Sequence, residues 1–447
     1  MKNKKFSVVF QNKIKAFKKT IKVDSDKSIS IRSLLIGAIS QGASEAKNVL
    51  ESEDIFSTIQ CLKKLGVEIK KIKSKNYIIY GKGLGSLSAK KNQICDCGNS
   101  GTLARLLIGI LATTPNIKVK IKGDKSLNKR NMFKLINLMS EFGAEFYPKN
   151  KFNFPLTMVS SGMPIAIKYK AGVSAQLKSA VMLAGLNSFG NTNITEEKKS
   201  RNHTENILLK NSKVITIKNN NINIFGKSSL VPLNIYVPGD PSSAAFFASL
   251  ALLTKNSYLK INNVGLNSRR IGFYKLLKKF GANINFKNIK KINNELVGDI
   301  HIKYSKIKPI RASSKFYPST ADEYPILFII AALTPGISVF KGIKDLANKE
   351  SSRAKEMQKI LKQVGIKSKL NKDEIKIYGK SQLVETKKTV RVENLGDHRI
   401  CMATSCLSLV TGIKSYVNNF ETVNTSSPSY LDLITSLGGK FEIKKTL

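Results

Sequence analysis

The sequence predicts an α/β protein of two similar domains, each containing three copies of a helix-and-strand unit. Three observations lead to this prediction. A helix-like segment that ends in glycine and continues as a strand recurs along the chain, its copies lie at near-constant spacing, and a Pro-Gly-Asp turn lies near the middle. With 447 residues, 42% of them hydrophobic, the chain is long enough for two cores.

The recurring unit has a physical interpretation at each of its parts. In the copy LLKKFGANI, Leu276, Leu277 and Phe280 lie on one face of a helix. Glycine tolerates a positive φ and so ends the helix, and the residues that follow alternate like a half-buried strand. The marker positions are Gly66, Gly143, Ser212 (a degenerate copy), Gly281, Gly365 and Gly438. Chance could produce one such copy, but hardly six at this spacing.

The middle of the chain has the features of a crossover between two halves. A turn at Pro238–Asp240 is followed by Pro241, which suits the first position of a helix. Three units therefore fall on each side, and we expect helices packed beside four-stranded sheets.

The net charge of +45 raises the possibility of a nucleic-acid partner. The lysines are spread over the whole chain, however, and alternate with isoleucine and asparagine in strand-like segments such as 69–80 and 214–224. This pattern indicates a compositional bias rather than a basic binding face, so we expect no nucleic-acid partner. A general positive field would still attract small anionic substrates.

Apolar runs and cysteines exclude several other classes. The longest apolar stretches, Ala244–Leu253 and Ile326–Leu333, are too short to span a bilayer. The first 13 residues lack an apolar core and a cleavage site, so we read no signal peptide and expect a cytoplasmic protein. Five sparse cysteines argue against a disulfide scaffold. Cys95 and Cys97 have no second pair at zinc spacing, which predicts no metal site.

Four segments of the first half combine small residues with cations or hydrogen-bonding groups. DKSISIRSLL places Lys27, Ser28 and Arg32 at the start of an apolar helix, where free N–H groups and cations make an anion site. CGNSGTLARLL places Gly101 before another apolar helix, and GDKSLNKR supplies Arg130 after a strand. SAQLKSAVMLAGL, which begins at residue 174, offers a serine hydroxyl and a glutamine amide. Each segment alone also fits a capped surface helix or an ordinary loop.

Three segments of the second half carry charged side chains: ADEYPIL, NKESSRAKEM and LGDHRICMA. Lys349 and Arg353 are four residues apart, so we expect both on one side of a helix. Two cations at a helix start, where positive charge is disfavoured, are better explained by a bound anion than by stability.

Taken together, these segments resemble the EPSP synthase family in order, from about Asp26 to Leu433. SRNHTENIL and VPGDPSSAAFF are similar to further blocks of that family. The resemblance implies two domains, each of three βαβαββ repeats around a pseudo-threefold axis, with crossovers near residues 25 and 240. Residues 26–239 would form the domain on the shikimate 3-phosphate side. Residues 1–25 plus 240–447 would form the second domain, with phosphoenolpyruvate-binding arginines.

The resemblance also implies a reaction, in which the enolpyruvyl group of phosphoenolpyruvate passes to the 5-hydroxyl of shikimate 3-phosphate. It implies a monomer with small anionic substrates and without a metal or organic cofactor. The residues implied for shikimate 3-phosphate are Lys27, Ser28, Arg32, Ser174, Gln176, Ser200, Asp322 and Lys349. Those implied for phosphoenolpyruvate are Lys27, Gly101, Arg130, Arg353 and Arg399. Those implied for proton transfer are Asp322, Glu350 and Lys27.

The sequence departs from the family pattern at several positions. The family commonly has His at Ile31, Pro at Asn131 and Asp at Asn202. Near the C-terminus, Thr425 and Ser427 stand where a lysine of some members and a phenylalanine are found. No C-terminal residue is therefore assigned to phosphoenolpyruvate, and an enzyme of reduced activity stays possible.

Three other functions remain open at this point. A UDP-N-acetylglucosamine enolpyruvyl transferase would share the fold and donor, but that family usually carries a cysteine where this chain has Lys125 and lacks the Gly-Asp-His-Arg block. An RNA-binding or RNA-end-processing protein would fit the charge, although it would not need the full set of substrate segments. An inactive member of the family is the third.

Overall fold

The computed structural model describes residues 5–211, 213–381, 383, 389–393 and 395–445. The chain forms two units, each with its own hydrophobic core. The N-terminal unit comprises Ser25–Pro238 and Lys291–Glu295. The C-terminal unit comprises Met1–Asp24, Gly239–Lys290 and Leu296–Leu447. It stays a prediction that the domain of residues 26–239 lies on the shikimate 3-phosphate side and that the other domain supplies arginines for phosphoenolpyruvate.

The strands are short, and their pairing partners are often distant in sequence. They are β1 Phe6–Phe10, β2 Lys18–Ile21, β3 Gln41–Lys47, β4 Glu68–Lys73, β5 Asn76–Lys82, β6 Ile94–Asp96, β7 Lys118–Lys122, β8 Glu145–Tyr147, β9 Leu156–Val159, β10 Lys168–Ala171, β11 Asn191–Glu196, β12 Ile215–Lys218, β13 Asn221–Phe225, β14 Asn234–Tyr236, β15 Tyr258–Gly265, β16 Asn283–Ile292, β17 Glu295–Lys303, β18 Arg311–Ala312, β19 Gly336–Lys341, β20 Ser368–Leu370, β21 Glu374–Gly379, β22 Val390–Val392, β23 Ser415–Val417 and β24 Glu442–Lys445.

The helices alternate with these strands. They are α1 Lys27–Ala38, α2 Glu53–Lys64, α3 Gly101–Ala112, α4 Lys125–Asn128, α5 Phe133–Glu141, α6 Ala175–Gly185, α7 His203–Leu208, α8 Pro241–Leu253, α9 Gly272–Lys279, α10 Tyr317–Thr320, α11 Tyr324–Ala332, α12 Arg353–Gln363, α13 His398–Thr411 and α14 Tyr430–Ser436. Short 3-10 helices cover Ser314–Phe316, Lys344–Asn348 and Phe420–Thr425. Within the described ranges, none of these helices has the length and apolar character needed to cross a bilayer.

In the described part of the chain the strands form six four-stranded sheets. The N-terminal unit contains the sheets β14-β3-β5-β4, β6-β7-β9-β8 and β10-β11-β13-β12, and the C-terminal unit contains β2-β15-β17-β16, β18-β19-β21-β20 and β22-β23-β1-β24. In each sheet the first two strands are parallel. The predicted α/β fold with βαβαββ repeats is confirmed.

The glycines that mark the repeats end helices as predicted. Gly66, Gly143, Gly281, Gly365 and Gly438 have φ values between 70° and 99°. After each of them the next amide donates to a carbonyl five residues back, as Ala282 N does to Leu277 O at 3.0 Å. This is the Schellman closure of a helix end. The sixth marker, Ser212, lies outside the described residues.

Each unit has three buried core helices, and several predicted site residues lie at or near the starts of these helices. In the N-terminal unit, α3 packs against α1 and α6, and in the C-terminal unit α8, α11 and α13 contact one another. Helix α8 begins at Pro241, as the sequence predicted, and is buried around nearly its whole circumference. An apolar helix of this kind belongs in the middle of a core rather than at a surface.

Candidate active site

The start of α1 holds three of the predicted residues, Lys27, Ser28 and Arg32. Asp26 caps the helix by accepting a hydrogen bond from Ile29 N at 2.8 Å. The Lys27 ammonium lies 3.0 Å from a carboxylate oxygen of the buried Asp54. That ion pair fixes the position of the cation at the start of α1.

Arg32 is only 3% exposed and ties α1 to two other elements. Its Nε donates to Thr204 Oγ1 at 2.8 Å and its Nη2 to Ser179 Oγ at 3.0 Å. Its Nη1 donates to Ser28 O at 3.0 Å. Since α6 carries Ser179 and α7 carries Thr204, Arg32 joins α1 to these two helices.

At the start of α3, a glycine lets two guanidinium groups approach the backbone. A Cβ on Gly101 would lie 2.7 Å from an Nη1 atom of both Arg105 and Arg130. Arg105 Nη1 donates to Gln176 Oε1 at 2.9 Å, and Gln176 Nε2 donates to Thr102 Oγ1 at 2.9 Å. The predicted residues Gly101, Arg130 and Gln176 therefore lie together in the N-terminal unit.

Ser174 and Ser200 complete the predicted residues of this unit. Ser174 caps α6, because its hydroxyl accepts from Leu177 N at 3.4 Å. Ser200 precedes α7, and both its amide and its hydroxyl donate to Glu196 Oε1, at 3.1 and 3.4 Å. Ser174 therefore lies at the start of α6 and Ser200 lies just before α7, and each of these helices supplies a hydroxyl that accepts a hydrogen bond from Arg32.

In the C-terminal unit, Arg353 is the centre of a carboxylate cluster. Its side chain is 1% exposed. It pairs with Asp397 at 2.9 Å, Glu350 at 2.6 Å and Asp322 at 3.4 Å. Burial by itself would lower the pKa of Arg353, but the three carboxylates outweigh it and raise that pKa above its ordinary value. Two predicted proton-transfer groups, Asp322 and Glu350, therefore meet at one guanidinium.

Asp322 is surrounded by cations. Besides Arg353, it has Arg270 Nη1 at 3.6 Å and Lys349 Nζ at 3.7 Å. Its side chain is 20% exposed, so a ligand can reach it. Arg270 also pairs with Asp240, the cap of α8, at 3.0 Å.

The prediction that Lys349 and Arg353 share one side of a helix is wrong. Helix α12 begins at Arg353, and Lys349 has an extended backbone after the 3-10 helix Lys344–Asn348. The associated argument for a bound anion also fails for Arg353, because carboxylates of the chain itself surround it. Both residues nevertheless contact Asp322.

Arg399 differs from Arg353 in its surroundings. It is 4% exposed, and its Nε and Nη1 are buried without a hydrogen-bond partner among the described residues. Its guanidinium carbon lies 5.7 Å from the centre of the Phe246 ring. The carboxylate of Asp397 caps α13. It accepts a hydrogen bond from the backbone amide of Arg399 at 3.0 Å and forms its ion pair with the guanidinium of Arg353. A buried guanidinium with open donors is suited to an anionic ligand.

Several residues of this site escaped the sequence reasoning. Asp397 belongs to the Gly-Asp-His-Arg segment, and no other feature of the sequence indicates a role for it. Asp54, Arg105 and Arg270 lie outside any assigned role; Arg105 belongs to the candidate segment CGNSGTLARLL, whereas no local pattern marks Asp54 or Arg270. Their contacts join elements that are distant in sequence.

Four of the positions that depart from the family pattern have well-defined surroundings. Ile31 is fully buried in the core, and Asn131 Oδ1 accepts from Phe133 N at 2.8 Å. Ser427 and Thr425 are both buried. The Ser427 hydroxyl donates to Asp24 Oδ2 at 3.0 Å, so a polar contact stands where the family has an aromatic ring.

Comparison with known proteins identifies the family. The profile of EPSP synthase (3-phosphoshikimate 1-carboxyvinyltransferase) matches residues 11–434. The chain belongs to the EPSP synthase family. A 3-phosphoshikimate 1-carboxyvinyltransferase of Zymomonas mobilis is 37% identical over 430 residues, 95% of this chain and 94% of the relative. One of Thermodesulfovibrio yellowstonii is 39% identical over 428 residues, 95% and 98% of the two chains.

Solved structures give the same family and fold. An EPSP synthase of Acinetobacter baumannii has a TM-score of 0.83 and 35% identity, covering 99% of this chain and all of that chain. The enolpyruvyl transferase NikO of Streptomyces tendae has a TM-score of 0.75 at 10% identity, over 99% and 100% of the two chains. The latter likeness concerns the fold alone.

Proposed function

We propose that this protein transfers the enolpyruvyl group of phosphoenolpyruvate to the 5-hydroxyl of shikimate 3-phosphate, releasing phosphate. Membership of the EPSP synthase family supports the reaction. The observation that carries it in the structure is the meeting of two partly exposed carboxylates, Asp322 and Glu350, at the buried guanidinium of Arg353. An addition–elimination needs two such proton-transfer groups close together.

The proposed chemistry proceeds in two stages. In the addition, an acid protonates the methylene carbon of phosphoenolpyruvate, and the 5-hydroxyl attacks C2 while a base removes its proton. In the elimination, a proton leaves the new methyl group as phosphate departs, which restores the double bond. We assign the base to Asp322 and the acid to Glu350, with Lys27 as a further proton-transfer candidate. Positioned carboxylates contribute on the order of 10²–10⁴-fold each.

The substrates would be held by cations and small polar groups. For shikimate 3-phosphate we propose Lys27, Ser28, Arg32, Ser174, Gln176, Ser200, Asp322 and Lys349. For phosphoenolpyruvate we propose Lys27, Gly101, Arg130, Arg353 and Arg399. Among these, Arg399 has the clearest support, since its open donors match a carboxylate or phosphate. Arg353 would act chiefly by holding the two carboxylates.

We further propose that the protein works as a monomer in the cytoplasm. The test of the function is a phosphate-release assay on the purified chain with both substrates and with each one omitted in turn. Phosphate should appear only when both are present. UDP-N-acetylglucosamine in place of shikimate 3-phosphate should give none. Folded protein without turnover above background would refute the catalytic proposal, while turnover with the nucleotide sugar would assign the rival activity.

A further inference from the structure

A buried ion cluster lies beneath the proposed acceptor site. The side chain of Lys178 is fully buried, and those of Glu196 and Glu205 are almost so. The Lys178 ammonium lies 2.6 Å from Glu196 Oε1 and 2.5 Å from Glu205 Oε1. Burying three charged groups costs desolvation free energy, so a gain in stability is a weak explanation for this cluster.

The cluster joins three elements that carry proposed substrate residues. Lys178 lies on α6, two residues after Gln176. Glu196 is the last residue of β11, and Glu205 lies on α7. One ammonium therefore holds the end of a strand and a short helix against α6.

Two contacts connect the cluster to the proposed binding groups. Glu196 Oε1, besides pairing with Lys178, accepts from the amide and hydroxyl of Ser200. On α7, the residue before Glu205 is Thr204, whose hydroxyl accepts from Arg32 Nε at 2.8 Å and donates to Ser179 Oγ at 2.8 Å. A shift of β11 or α7 would thus move Ser200 and Arg32.

We propose that Lys178 is a positioning residue for the acceptor site. Through Glu196 it fixes Ser200, and through Glu205 it fixes Thr204 and hence Arg32. The inference rests on the proposed function, because it assigns these two groups to the binding of shikimate 3-phosphate. Loss of the ammonium should weaken that binding specifically, without a comparable effect on the donor or on the chemical step.

The test compares Lys178→Met with the double variant Lys178→Met/Glu205→Gln. The single variant leaves two buried carboxylates without their cation and can fail to fold, whereas the double variant removes one of those charges. Lys70→Met is the matched control, because Lys70 pairs with Glu68 on the surface at 3.0 Å. In the double variant we expect the KM for shikimate 3-phosphate to rise roughly tenfold or more. Its kcat and its KM for phosphoenolpyruvate should stay near those of the control.

Amide hydrogen exchange gives a readout that needs no substrate. Exchange in residues 197–206 should increase in the double variant, while residues 103–112 of α3 keep their protection. Unchanged exchange in 197–206 overturns the proposal whether or not the wild-type protein turns over. Equal loss of protection in α3, or faster exchange with an unchanged KM, also overturns it. Absence of turnover in the wild-type protein instead refutes the proposed function.

Discussion

Replacing Arg399 by methionine should impair the use of phosphoenolpyruvate at little cost in stability. Arg399 is buried, and its Nε and Nη1 lack hydrogen-bond partners among the described residues. Methionine keeps an unbranched apolar side chain beside Phe246 but removes the guanidinium group and its contact with that ring. Hydrogen bonds to a charged group contribute roughly 1.5–3 kcal/mol, which corresponds to about a 10- to 150-fold rise in the KM for phosphoenolpyruvate.

Arg353→Met provides the contrast. It would leave Asp397, which is fully buried, without the cation that now lies 2.9 Å away. Breaking a buried pair from one side costs about 3–5 kcal/mol of the free energy of unfolding. We therefore expect a clear loss of stability with Arg353→Met and almost none with Arg399→Met.

Steady-state phosphate release, with each substrate varied at saturation of the other, measures the two KM values, and urea unfolding measures stability. Arg391→Met is the matched control, since Arg391 is exposed and its guanidinium also lies over an aromatic ring, that of Tyr416 at 5.6 Å. Equal rises in both KM values with Arg399→Met would show that it does not serve the donor. A loss of stability as large as that of Arg353→Met would refute the assignment of open donors.

Three further predictions concern other parts of the molecule. Asp322→Asn should bind shikimate 3-phosphate in calorimetry but lose about 10²–10⁴-fold in kcat, because an amide cannot accept the proton; a near-normal kcat would exclude it as the base. Gly101→Ala would place a methyl group 2.7 Å from Arg130 Nη1 and should raise the KM for phosphoenolpyruvate several-fold. An unchanged KM would separate Gly101 from the donor site. Burial raises the pKa of Cys406 to about 12 and also raises that of Cys401. At pH 8 only about 10⁻⁴ of the Cys406 thiol is ionised, so iodoacetamide should label neither thiol until urea unfolds the protein, as mass spectrometry can check.

The sequence alone predicted the repeated fold and several of the helix starts because both depend on short-range patterns. A glycine at C′ needs only a positive φ, as at Gly281, and a following amide that donates to a carbonyl five residues back, as Ala282 N does to Leu277 O. Serine and aspartate caps act within three residues, as Ser100 and Asp26 do. Such local signals are visible in the sequence itself, so the segments around α1, α3 and α6 can be recognised without knowledge of the packing.

Only the tertiary structure decided how the charges are paired. Arg353 and Asp397 are separated by 44 residues, and Lys178 and Glu196 by 18. The prediction that Lys349 and Arg353 lie on one side of a helix was wrong, because α12 begins at Arg353, where carboxylates from other elements converge. The free energy of an ion pair depends on distance and burial, and these are set by the packing of whole helices. Sequence therefore determined which groups were available, and packing determined that Arg353 is paired with three carboxylates while Nε and Nη1 of Arg399 have no hydrogen-bond partner among the described residues.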